Sequence, residues 1–87
     1  MTKVKEQKLP KWFDGELYEA GDEVRNPYSG EKIELTAVEL SMYDFIMGAT
    51  MVLEMRNGHK HTSVTDLRKG LDWFRTHNAR AYMVLLD

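Results

Sequence analysis

Apolar residues are most concentrated between Ala37 and Arg56. Val38, Leu40, Met42, Tyr43, Phe45, Ile46, Met47, Ala49, Val52, Leu53 and Met55 fall on nearly every side of a helix drawn through this stretch. Its polar side is narrow, made of Ser41, Asp44 and Gly48. A surface helix ordinarily carries an apolar stripe somewhat over ~100° wide, so a helix that is apolar nearly all round is expected to be covered on most sides. Both ends are specified. Thr36 and Glu39 form a capping box at the start, with Leu35 placed to staple onto Leu40. Asn57-Gly58 supplies a left-handed stop at the other end.

The flanking pattern predicts a hairpin before this helix and further helix after it. Ile33 and Leu35 alternate with Lys32 and Glu34, a period of two that reads as a strand. Glu23 to Arg25 forms the other arm, with Val24 as its apolar residue. Between the arms, Asn26-Pro27-Tyr28-Ser29-Gly30 has proline early and glycine closing, a turn arrangement. After the central helix, 58–62 reads as a polar loop. Ser63 or Thr65 is the expected cap of a second helix, with Asp66 in its first turn, where the helix dipole favours an acid. Leu67, Leu71 and Phe74 recur at helical spacing, and Gly70 shares their face. Asn78 ends or bends this helix. Ala79 to Leu86 is helical again, with Ala81, Tyr82, Leu85 and Leu86 apolar. The phase from Leu67 to Leu85 is also compatible with one bent helix. Lys11 to Ala20, with Trp12 and Phe13 ahead of a turn at Asp14-Gly15, fits either a short strand or a turn of helix. Residues 1–9 read as a solvated, lysine-rich tail or as a basic arm that orders on a partner.

The expected fold class is therefore α+β and mostly α: a small β-hairpin followed by two to three helices packed as one layer pair. Residues 10–87 form a single domain. Chains of 87 residues bury only about 60–65% of the surface they expose on unfolding. Small domains therefore often lean on a metal, a disulfide or a partner chain. With no cysteine in the chain, disulfides and thiolate sites are excluded. What remains is packing, a His/carboxylate metal site, or oligomerisation. Val24, Ile33, Leu35, Leu67, Leu71, Phe74, Tyr82, Leu85 and Leu86 are available to cover the central helix. Whether the cover comes from this chain or from another is left open by the pattern.

Charge changes the picture further. The net charge is −2, distributed as +3 over residues 1–12, −5 over 13–35, −2 over 36–56 and +2 over 57–87. The acidic block argues against a general nucleic-acid binder, because phosphate contacts need a basic surface. No apolar run precedes Pro10 and none is long enough to span a bilayer, so a cytoplasmic protein with no membrane partner is expected.

Candidate chemistry is sparse. No cofactor is implied. His59 and His61 on an extended loop point the same way, and His77 or Asp66 would be needed to complete a metal site; the alternative is a solvated loop. Glu16, Glu19, Asp22 and Glu23 lack the spacing of a calcium loop. Asp44, between Tyr43 and Phe45, is either a buried carboxyl with a raised pKa or part of the narrow exposed stripe. No nucleophile elbow, phosphate cradle or paired-acid motif is present, and a non-enzymatic protein is expected. Gly48 marks either a close approach by another helix, with Gly70 as counterpart, or an exposed position. Met42, Met47, Met51 and Met55 all lie on the central helix. Methionine fills irregular cores and also furnishes adaptable binding surfaces, and on the second reading these four are the partner-binding candidates.

Asn26-Pro27-Tyr28-Ser29-Gly30-Glu31, Leu40-Ser41-Met42-Tyr43-Asp44-Phe45-Ile46-Met47-Gly48, Lys69-Gly70-Leu71-Asp72-Trp73-Phe74-Arg75 and the closing Ala81-Tyr82-Met83-Val84-Leu85-Leu86-Asp87 resemble small uncharacterised proteins encoded by tailed phages of marine bacteria. The resemblance carries no activity with it. It implies a virus-encoded accessory or regulatory protein acting on a host or viral partner. The expectation from the residues is an interaction module working through protein–protein contacts, with self-association into a homodimer as one form of such contact. The alternative is a small DNA-associated regulator using Arg68, Lys69 and Arg75 of the C-terminal helices. A metal-dependent activity at His59 and His61 stands third.

Overall fold

The chain passes from strand to helix at Thr36, and both bonds of the capping box are made there. The Thr36 hydroxyl accepts the Glu39 N–H at 3.1 Å, and the Glu39 carboxylate accepts the Thr36 N–H at 2.9 Å. Our computed structural model describes residues 8–56 and 64–86; the side chains of Leu53, Met55, Arg56 and Val64 are not among those described. From its cap, helix α1 runs Ala37–Arg56. The stop expected at Asn57-Gly58 lies outside the described residues.

Ahead of α1, strands β1 (Asp22–Arg25) and β2 (Lys32–Leu35) pair antiparallel, with Val24 opposite Ile33 and Asp22 opposite Leu35. The period-two pattern sets which face is covered: Val24 and Ile33 are half-buried, Leu35 is buried, and Glu23, Arg25, Lys32 and Glu34 are exposed. Asn26 organises the turn with every polar group it has. Its N–H donates to Glu31 O and its carbonyl accepts the Gly30 N–H, each at 2.8 Å. Its Oδ1 accepts the Tyr28 N–H at 2.7 Å, an Asx turn. Its Nδ2 donates to Val84 O at 2.8 Å, at the far end of the chain. Gly30 sits at φ +82°, where glycine is at home and an L side chain is strained.

After α1 come α2 (Val64–His77) and α3 (Ala79–Leu85). They are two helices, not one bent helix, and Asn78 separates them. Its N–H closes α2 on Phe74 O at 2.9 Å, while its Oδ1 caps α3 by accepting the Ala81 N–H at 3.0 Å. Ser63 lies outside the described residues, and Thr65 stands inside α2, so it is not the cap.

α1 packs on α2 and touches β2, and α3 packs on α2 and β2. The buried centre is Leu35, Met42, Ile46, Phe74 and Ala81. Gly70 is buried at the α1–α2 contact: a Cβ built on it would lie 3.2 Å from Ile46 Cγ1 and 3.4 Å from Met42 Sδ. The close approach expected of a Gly48–Gly70 pair is thus made by Gly70 alone. Gly48 is exposed, with nothing within 4 Å of its Cβ position. The N-terminal segment forms no strand and no helix; it makes a hydrogen-bonded turn in which the Phe13 N–H donates to Pro10 O at 3.0 Å. It runs as irregular backbone that lays Trp12 and Phe13 against Phe45, ring centroids 5.7 and 5.5 Å away. Of the tail expected over 1–9, residues 1–7 lie outside the described residues. Lys8 and Leu9 are tied to the body: Lys8 O accepts the Trp73 indole N–H at 3.1 Å, and Leu9 packs against the core.

Candidate interaction surface

α1 is apolar almost all round, so its exposed side is defined by what the rest of the chain leaves uncovered. β2, α2 and the N-terminal segment take up Met42, Phe45 and Ile46, and Ala49 is buried as well. Left outside are Asp44, Met47, Gly48, Met51 and Glu54. Asp44, Gly48 and Met51, and likewise Met47, Met51 and Glu54, stand three or four residues apart, so the five share one stripe of the helix. Met47 is 42% exposed and Met51 is 59% exposed.

This stripe differs from the sequence expectation at one end. Ser41 was expected on the polar side together with Asp44 and Gly48, but it is 1% exposed. Residues 16–18 cross α1 at this point. The Tyr18 N–H donates to Ser41 Oγ at 2.9 Å, and Ser41 Oγ donates to Ala37 O at 2.9 Å. A hydroxyl that both donates and accepts is satisfied without water, which makes its burial tolerable. Leu17, in the same strap, is 69% exposed, and Tyr18 is 37% exposed. Partial desolvation pushes the Tyr18 phenol above the ordinary tyrosine range, helped by the charges of Asp44 and Glu16 and by a hydrogen bond to Asp44. Asp44 thus takes the exposed of its two expected positions, and Tyr18 extends the apolar stripe beyond it. No local signal in 16–18 announces this crossing, because it depends on a hydroxyl 23 residues further along the chain.

The four methionine candidates separate. Met42 is fully buried against Phe74 and Ile46 in the core, which removes it from any partner surface. Met47 and Met51 face outward, and the Met55 side chain lies outside those described. His59 and His61 also lie outside the described residues. His77 is stacked on Trp73, centroids 4.1 Å apart, with Nδ1 2.8 Å from Trp73 O. That carbonyl can only accept, so Nδ1 carries a proton there. Among the described residues no group of three or more His, Cys, Asp or Glu could hold a metal. Among them, too, no helix is long and apolar enough to cross a membrane.

Of the basic residues named for the DNA alternative, Arg68 is exposed on α2. Arg75 is paired with Asp72 at 2.6 Å, and the Lys69 ammonium lies 5.9 Å above the Trp12 ring. A shallow cleft of about 350 Å³ runs beside them, lined by Pro10, Trp12, Lys69, Asp72, Trp73 and His77 among others. Comparison of the chain with protein-family profiles, curated proteins and solved structures finds no match.

Proposed function

We propose that this chain is a small non-enzymatic accessory or regulatory protein that acts through protein–protein contacts, and that the outer stripe of α1 makes them. The observation that carries the reading is the pair Met47 and Met51, exposed on either side of Gly48 on a helix that buries Met42, Ile46 and Ala49 elsewhere on its surface. Flexible thioether side chains adapt to a partner's contours, and the missing Cβ at Gly48 lets a partner backbone come close. The virus-encoded setting rests on the resemblance alone.

The test is site-specific photo-crosslinking in cells that express the chain, with a photoreactive residue at Met47 or Met51 and a control at exposed Lys32 on the hairpin. Discrete adducts at the α1 positions and none at the control are expected. Adducts of equal yield at Lys32, or none at either α1 position, would remove the reading.

A further inference from the structure

Exposed carboxylates bound the outer stripe of α1. Asp44 stands one turn before Met47, and Glu54 lies three residues beyond Met51. At 1.5 Å per residue they are about 15 Å apart along the axis, with both methionines between them. No lysine or arginine occurs between Ala37 and Glu54, so nothing on this part of the helix offsets them. Exposed Glu16 adds to the same charge in the strap beside Tyr18.

This distribution argues against a second copy as the occupant. If two α1 helices paired antiparallel with Met47 of one opposite Met51 of the other, Asp44 of each would face Glu54 of its mate. Parallel pairing would set Asp44 against Asp44 and Glu54 against Glu54. Either way, like charges meet at both ends of the contact, which disfavours that partner. The same layout suits a helix of opposite sign, laid on the stripe by its apolar side.

We infer, on the reading of α1 given above, that the occupant is a basic amphipathic helical segment of another protein. Two of its apolar residues, a turn apart, seat on Met47 and Met51 across Gly48. Lysines or arginines roughly ten residues apart, the reach set by the helical rise, meet Asp44 and Glu54.

The test uses the full chain with methionine methyl groups labelled for NMR. The probe is a synthetic helix with leucines on one face and lysines at its flanks, beside the same peptide with glutamate for lysine. The lysine peptide is expected to shift the Met47 and Met51 methyl resonances and leave buried Met42 unmoved, with binding that weakens as salt rises. The Asp44→Asn/Glu54→Gln chain should lose about tenfold in affinity, the scale of two exposed ion pairs. Glu54→Gln alone, which leaves the Tyr18 contact intact, should lose part of that, and an unchanged Met42 resonance shows that each variant is folded. Equal binding of both peptides, undiminished binding by the double variant, or no binding of the lysine peptide overturns the inference. Sedimentation separates the two levels of the argument. A dimer abolished by Met51→Glu would keep α1's stripe as a contact surface and replace the basic partner with a second copy. A monomer whose Met47 and Met51 resonances no peptide moves would sink both.

Discussion

Met42 and Met51 are the same residue on the same helix, yet one is fully buried and the other is 59% exposed. Both sides of α1 carry methionines, and they differ greatly in what lies against them. On the inner side, α2 brings Phe74 and the bare backbone of Gly70 onto Met42 and Ile46, and β2 adds Leu35 to the same cluster. On the outer side no described element covers Met47 or Met51. In a domain this small, the number of covering elements, not helix composition, decides which apolar residues become core.

Substitutions that treat the two sides alike put this contrast at risk. Met42→Ala should cost about 2–5 kcal/mol in urea unfolding, the range for emptying a packed site, whereas Met51→Ala should stay within about 0.5 kcal/mol. Similar losses at both would mean that the sides are not distinct. Gly70→Val should cost about 1–3 kcal/mol, because the added carbons press on Ile46 Cγ1 and Met42 Sδ. Gly48→Ala meets open space and should stabilise the fold by about 0.8–1 kcal/mol through helix propensity. A Gly48→Ala chain that is less stable would indicate a contact on the outer stripe. Thr36→Ala removes the cap that both sides share and should cost about 1 kcal/mol. The smallest effect is electrostatic. Because the Tyr18 phenol is raised in the folded protein, its neutral form contributes stability that is fully present below the ordinary tyrosine range. That contribution is lost as pH climbs through the raised folded value. Spectrophotometric titration of the Asp44→Asn chain should show this phenol moving back down.

What the sequence discloses follows the same division. Three signals confined to a few neighbouring residues are realised: the Thr36–Glu39 box, the turn opened by Asn26-Pro27 and closed by Gly30, and the break at Asn78. Thr65, by contrast, lies inside α2 and caps nothing. The inner side was legible only in part: Asp44 and Gly48 marked the outer stripe, but a helix apolar nearly all round gives its remaining residues little phase. Ser41 shows the cost of that. In sequence it belongs with Asp44 and Gly48, and only the irregular strap at residues 16–18 puts it inside. Trp12 and Phe13 were visible as bulky residues without a destination, since Phe45 lies far along the chain. Of the candidate surface, Met47 and Met51 could be named but not told apart from Met42. The carboxylates that bound the stripe were readable as residues and acquired a role only through the exposure of the methionines between them.

The side chain of Asn26 has a consequence for how the molecule opens. One amide closes the hairpin turn and holds the Val84 carbonyl, spanning 58 positions of the chain. Two strands of four residues are marginal by themselves. Their protection against hydrogen exchange should therefore be borrowed from α3, so that hairpin and C-terminal helix exchange as one cooperative unit. Cutting this hydrogen bond with Asn26→Asp, which keeps the Oδ1 acceptor and removes the Nδ2 donor, should let the hairpin amides exchange ahead of those in α3.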